Sequence, residues 1–96
     1  MQGTSMAELY EYITYCRDVE FIYDGATYVI QPEYGDKICW LVIWIISDEP
    51  KCICKREIPQ QGNIPKTIID DVLSDKCFKG KSFLEIERDV EVTVIY

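Results

Sequence analysis

Hydrophobic residues change their period three times along this chain. Near the start, Met6, Leu9, Ile13 and Cys16 recur at helical spacing with Tyr10 beside them, the mark of one buried helix face. Ser5 and Glu8 occupy the N-cap and third helical position of a capping box. The spacing predicts an amphipathic helix of about three turns, ending near Arg17-Asp18. Tyr10, Tyr12 and Tyr15 are spread around it, so at least one is expected to face water.

From Val19 the period becomes two. Asp24-Gly25 is a preferred pair for a two-residue hairpin turn. Such a loop pairs Tyr23 with Ala26, Phe21 with Tyr28, and Val19 with Ile30, all on one apolar or aromatic face. Glu20, Ile22, Thr27 and Val29 form the opposite, mixed face. Pro32–Asp36 reads as the next turn.

Then alternation vanishes. Ile38-Cys39-Trp40-Leu41-Val42-Ile43-Trp44-Ile45-Ile46 is unbroken apolar sequence and holds both tryptophans of the chain. A strand with one wet face alternates apolar and polar residues, so this one needs cover on both faces. Register assigns Cys39, Leu41, Ile43 and Ile45 to the face of Phe21 and Tyr28. Ile38, Trp40, Val42, Trp44 and Ile46 join the mixed face. After a turn at Ser47–Pro50, Lys51–Ile58 reads as a fourth strand with Cys52 opposite Ile45 and Cys54 opposite Ile43. On a regular strand those two thiols share a face.

Pro59–Asn63 is a loop. Asn63 is expected to cap a short helix with Pro65 in its first turn and Ile68, Ile69, Val72 and Leu73 as its buried stripe. Ser82 and Glu85 form a second capping box, opening a turn or two that buries Phe83 and Ile86. Val90–Tyr96 alternates as a last strand. The predicted fold is α+β: an antiparallel four- to five-stranded sheet, a meander, with an N-terminal helix and one or two short C-terminal helices. All 96 residues form a single domain, large enough for one core. Residues 1–5 are expected to be a loosely held leader before Met6.

Helices on one face cover Phe21, Tyr28 and Leu41 and leave Trp40, Val42, Trp44, Ile22 and Val29 on the other. Those five residues are the expected protein-interaction surface, because tryptophan dominates binding hot spots and a patch that large is unusual on a monomer. The leading expectation is a homodimer through this face.

Charge narrows the partners. A net charge of −7 disfavours nucleic acid and anionic membrane surfaces, both of which need clustered Lys and Arg. For the same reason Trp40, Trp44 and Tyr34 are not read as a base-stacking platform. The apolar run is about half the ~20 residues a membrane-spanning helix requires, and the N-terminus has no signal-like apolar core.

Candidate chemistry is sparse. Cys16, Cys39, Cys52, Cys54 and Cys77 are odd in number and read as reduced thiols in a cytoplasmic protein. The metal alternative is zinc on Cys52 and Cys54 if Cys39 or Cys77 approaches. Gly80-Lys81-Ser82 resembles the end of a phosphate loop, but the upstream glycine position holds Asp75 and no strand leads in. A turn followed by a helix cap accounts for Gly80 and Ser82. Asp70, Asp71, Asp75, Glu85, Glu87, Asp89 and Glu91 are interleaved with lysines and arginine and read as solvated surface. The chain has no histidine, the commonest general base near neutral pH, and no activator for a cysteine nucleophile is visible in the sequence. No catalytic residue, cofactor or metal is expected.

Glu20, Phe21, Tyr23, Gly25, Tyr28 and Ile30 resemble the E-F-x-Y-x-G-x-x-Y-x-I hairpin of a family of short uncharacterised bacterial proteins. Asp75–Ile86 resembles their D-x-x-x-x-G-K-S-L-x-E-I segment. The resemblance covers about half the chain and departs in the strand Cys39–Ile46, which is more apolar here. It implies a small intracellular accessory protein encoded near a mobile element, and brings no activity and no functional residues. The functional expectation is therefore a small non-catalytic interaction module, binding itself or another protein. One alternative is an acidic inhibitor that mimics nucleic acid on a basic host or phage protein. Another is a thiol-based metal or redox protein.

Overall fold

The computed structural model describes all 96 residues. α1 (Met6–Thr14) opens on the expected capping box: the Glu8 amide donates to Ser5 Oγ at 3.2 Å and the Ser5 amide to Glu8 Oε1 at 3.3 Å. It ends a turn earlier than its apolar spacing suggests. Cys16 takes the left-handed conformation (φ 63), and the Arg17 amide closes back on the Tyr12 carbonyl at 2.9 Å, the stop usually given to glycine.

β1 (Val19–Tyr23) and β2 (Ala26–Tyr34) pair in the predicted register, Phe21 opposite Tyr28, with Asp24 (φ 51) and Gly25 (φ 77) in the turn. β2 corrects the turn expected at Pro32–Asp36. It runs on to Tyr34 with Pro32 opposite Leu41, and the turn tightens onto Gly35–Ile38, where the Gly35 amide donates to the Ile38 carbonyl at 3.0 Å. β1 begins opposite Ile30, so at Pro32 the sheet has an edge, the setting in which a strand tolerates proline.

β3 (Cys39–Ile46) and β4 (Lys51–Ile58) continue the meander, and β5 (Glu91–Ile95) returns to the far side of β1. The five antiparallel strands lie in the order β4-β3-β2-β1-β5. β4 carries a β-bulge: Cys54 pairs with Ile43 as predicted, but Cys52 pairs with Trp44, leaving Ile53 as the extra residue. The two thiols therefore lie on opposite faces, correcting the shared face expected for Cys52 and Cys54.

α2 (Lys66–Ser74) and α3 (Phe83–Ile86), followed by a 3₁₀ turn at Glu87–Asp89, pack with α1 on one face of the sheet. Pro65 rather than Asn63 holds the α2 N-cap position, without a side-chain cap. Ile64 is buried and its amide donates to the Thr14 carbonyl at 3.0 Å, while the proline after it favours extended backbone. α3 has its predicted capping box on Ser82. The predicted leader is tied down instead of loose. The Gln2 amide donates to the Val90 carbonyl at 2.9 Å, the Val92 amide donates to the Gln2 carbonyl at 2.8 Å, and Met1 packs on the core.

An aromatic cluster anchors the core. Phe21 stacks on Tyr28 at 5.3 Å, and Phe83 meets Phe21 edge-on at 5.3 Å. Phe78 enters from a tight turn in which Lys79 (φ 53) and Gly80 (φ 87) sit between two backbone hydrogen bonds joining Phe78 and Lys81. Gly80-Lys81-Ser82 is thus a turn and a helix cap.

Candidate functional site

Two places concentrate chemistry, one on each side of the sheet. The open face has no helix over it. β3 contributes Trp40, Val42, Trp44 and Ile46; β2 contributes Thr27, Val29, Gln31 and Glu33; β1 contributes Glu20 and Ile22. Side chains of the face itself bury its centre. Val42 has no exposed surface and Val29 only 8 %, so neither offers contact area of its own. Trp40 and Trp44 are half-buried above them. The Trp44 Nε1–H donates to Glu33 Oε2 at 2.7 Å, and Lys55 Nζ stands 4.3 Å from the centre of the Trp40 ring, a cation–π contact. Ile22 and Ile46 remain exposed. Glu20, Glu33, Glu57 and Glu91 lie on the same face, with Lys55 beside Trp40 and Arg88 bordering Ile22 and Glu91. Tyr34 pairs with Cys39, not with a residue of the open face, so it joins no platform with the tryptophans.

The second place lies on the helix side, where β4 meets the segment after α2. Cys54 is buried; Asp75 and Cys77 are half-buried; one ligand atom of each lies within 4.8 Å of the others. Arg56 reaches over the group. Its Nη2 donates to Asp75 Oδ2 at 2.6 Å, its Nε to Asp71 Oδ2 at 2.7 Å, and its Nη1 stands 3.8 Å from Cys54 Sγ. Arg56 pins the end of α2 to the sheet, and it is also the cation near a thiol that the sequence did not reveal. The neighbouring Cys77 thiol lowers the Cys54 thiol below its ordinary range, with Arg56 adding to the effect against burial and Asp75. The same pairing, with burial, pushes Cys77 up. Burial raises Cys52, on the other face.

Of the residues singled out for zinc, the fold brings Cys77 to Cys54 and sends Cys52 to the open face, with Cys39 buried beside β2. Cys54 and Cys77 are 23 positions apart, and no spacing rule joins them. The acidic residues toward the C-terminus are dispersed in separate contacts: Asp70 with Lys66 and Tyr10, Asp71 and Asp75 with Arg56, Glu85 with Lys76 and the α3 cap. A cleft of about 240 Å³ between the end of the β1–β2 hairpin and the Lys79-Gly80 turn is walled by the rim of the aromatic cluster.

No family model, curated protein or solved structure matches the chain. No helix is long and apolar enough to cross a membrane.

Proposed function

We propose that this chain is a non-catalytic protein-interaction module whose working surface is the open face of the sheet, and whose partner combines apolar and basic groups. One observation carries the reading. The helix-free face presents Trp40, Trp44, Ile22 and Ile46 with four carboxylates among them: Glu33 and Glu57 on either side of Trp40, Glu91 opposite Ile22, and Glu20 opposite Val29. Protein interfaces usually combine apolar and polar groups. Charge favours a basic partner over a second copy: two copies face to face set carboxylates against each other, and each chain carries −7. The tryptophans are the anchors, and the carboxylates steer the approach. Reduced thiols in a cytoplasmic setting belong to the same reading.

The test pairs peptide display with sedimentation. A randomised peptide library panned on the folded chain is expected to enrich sequences combining Lys or Arg with aromatic or aliphatic residues. Their binding should weaken ~10-fold or more in Trp44→Ala and fall as salt screens the carboxylates. Enrichment of acidic peptides, or binding indifferent to Trp40→Ala and Trp44→Ala, overturns the proposal. A dimer in sedimentation velocity that Trp44→Ala disperses replaces the basic partner with a second copy.

A further inference from the structure

We infer that Cys54, Asp75 and Cys77 form a binding site for one thiophilic divalent cation of the zinc class, with Arg56 as its charge-balancing neighbour. The site lies on the helix side of the sheet and is independent of the open face.

Donor chemistry and geometry support it together. Two sulfurs and one carboxylate oxygen already converge within 4.8 Å. Tetrahedral zinc, with Zn–S of about 2.3 Å and Zn–O of about 2.1 Å, holds such donors roughly 3.6–3.8 Å apart. Closure therefore needs a contraction of about 1 Å or less, within the reach of side-chain rotation. Thiolates select soft ions over magnesium or calcium. The donors come from two separate elements, Cys54 from β4 and the other two from the segment that follows α2, so a bound ion cross-links them. Asp75 and Cys77 are only half-buried, which leaves an approach for the ion and a fourth position for water.

Arg56 fits this role better than that of a competitor. Two thiolates and a carboxylate bring three negative charges, and a divalent ion and the guanidinium bring three positive ones. Asp71, the guanidinium's other partner, is mostly exposed and screened by solvent. Arg56 takes Asp75 through Oδ2, so Oδ1 is free for the ion. Holding a ligating carboxylate in place from behind is the usual task of an outer-shell partner. Binding forms two Zn–S bonds and one Zn–O bond, and releases to solvent the protons the two thiols carry.

The test titrates Zn²⁺ into the reduced, chelator-stripped full-length chain, with calorimetry and thermal unfolding as readouts. One equivalent is expected to bind. Zn²⁺ at about 100 times its dissociation constant should raise the unfolding midpoint on the order of 10 °C. Mg²⁺ should have no effect. Cd²⁺ should give a thiolate charge-transfer band in the ultraviolet. Cys77→Ser, at a half-buried position, should abolish uptake while circular dichroism stays native. Arg56→Gln should weaken uptake ~10–100-fold. Cys52→Ser should leave it unchanged, and so should Trp40→Ala and Trp44→Ala, which separates this site from the open face. Absence of saturable binding, or uptake that survives Cys77→Ser, overturns the inference.

Discussion

Trp44 donates its indole N–H to the Glu33 carboxylate across the β2–β3 ladder at 2.7 Å. The contact joins the most apolar strand of the sheet to a charge, and it is why the open face is not simply greasy. A tryptophan half-buried over Val42 and Val29 keeps its one polar atom satisfied. Glu33→Ala removes the acceptor and should destabilise the fold by about 1 kcal/mol, the net worth of a partly exposed hydrogen bond. Urea unfolding followed by tryptophan emission measures both the loss and the altered environment of Trp44. An unchanged midpoint and spectrum refute the role.

Phe78 sits edge-on to Tyr28 at 5.1 Å, with Phe21 and Phe83 close by. It is 3 % exposed. Phe78→Ala should cost about 3–5 kcal/mol, a large share of the 5–15 kcal/mol typical of a whole domain. Denaturant unfolding reads this directly. A loss below about 1 kcal/mol means that the cluster is not the anchor of the core.

Lys79 and Cys16 hold left-handed backbone that side chains with a Cβ adopt at a cost. Lys79→Asn restores the Asn-Gly pair favoured in such turns, and Cys16→Gly restores the favoured helix stop. Each should stabilise the chain by about 0.5–1 kcal/mol. A lowered thermal midpoint for either contradicts the reading of its turn.

Gly3 also has positive φ, and a Cβ there runs into the Val92 carbonyl. Gly3→Ala should pull the N-terminal segment off β5 without unfolding the domain. Hydrogen exchange at the Gln2 and Val92 amides should quicken, while exchange in β2 and β3 stays slow.

The Tyr10 hydroxyl donates to Asp70, and burial together with that carboxylate pushes its pKa from 10.0 up to about 12. Between those values the unfolded chain releases the phenolic proton while the folded one keeps it. The contribution is therefore complete below pH 10.0 and is lost as pH rises toward about 12. Tyr10→Phe should be less stable than the wild type near neutrality by about 1 kcal/mol, and the gap should narrow through that alkaline window. A gap independent of pH shows that the phenol is not protected by folding.

Local chemistry was legible in the sequence. Asp24-Gly25 set the hairpin register, and through it the two faces of β3; Ser5 with Glu8 and Ser82 with Glu85 marked both capped helix starts. What depended on tertiary placement was not. Nothing in Lys51–Ile58 announces a bulge at Ile53, so the parity of Cys52 could not be read from alternation. Pro32 looked like a turn because the end of β1, which makes β2 an edge there, is not encoded near Pro32. The meeting of Cys54 with Cys77 depends on where α2 comes to rest, and Arg56 gave no signal beyond being one charge on a strand. The burial of Val42 and Val29 on the face without helices lies outside any periodicity argument. The β1–β2 hairpin and Asp75–Ile86 are packing partners, since Phe78 from one meets Tyr28 from the other.

The single extra residue in β4 has a practical consequence. By putting Cys52 opposite Trp44 and Cys54 opposite Ile43, it gives each side of the sheet its own sulfur in that strand. Cys52 is thus a built-in attachment point for an environment-sensitive dye beside the tryptophans. With the half-buried Cys16 and Cys77 replaced by serine, a label there reports occupancy of the open side.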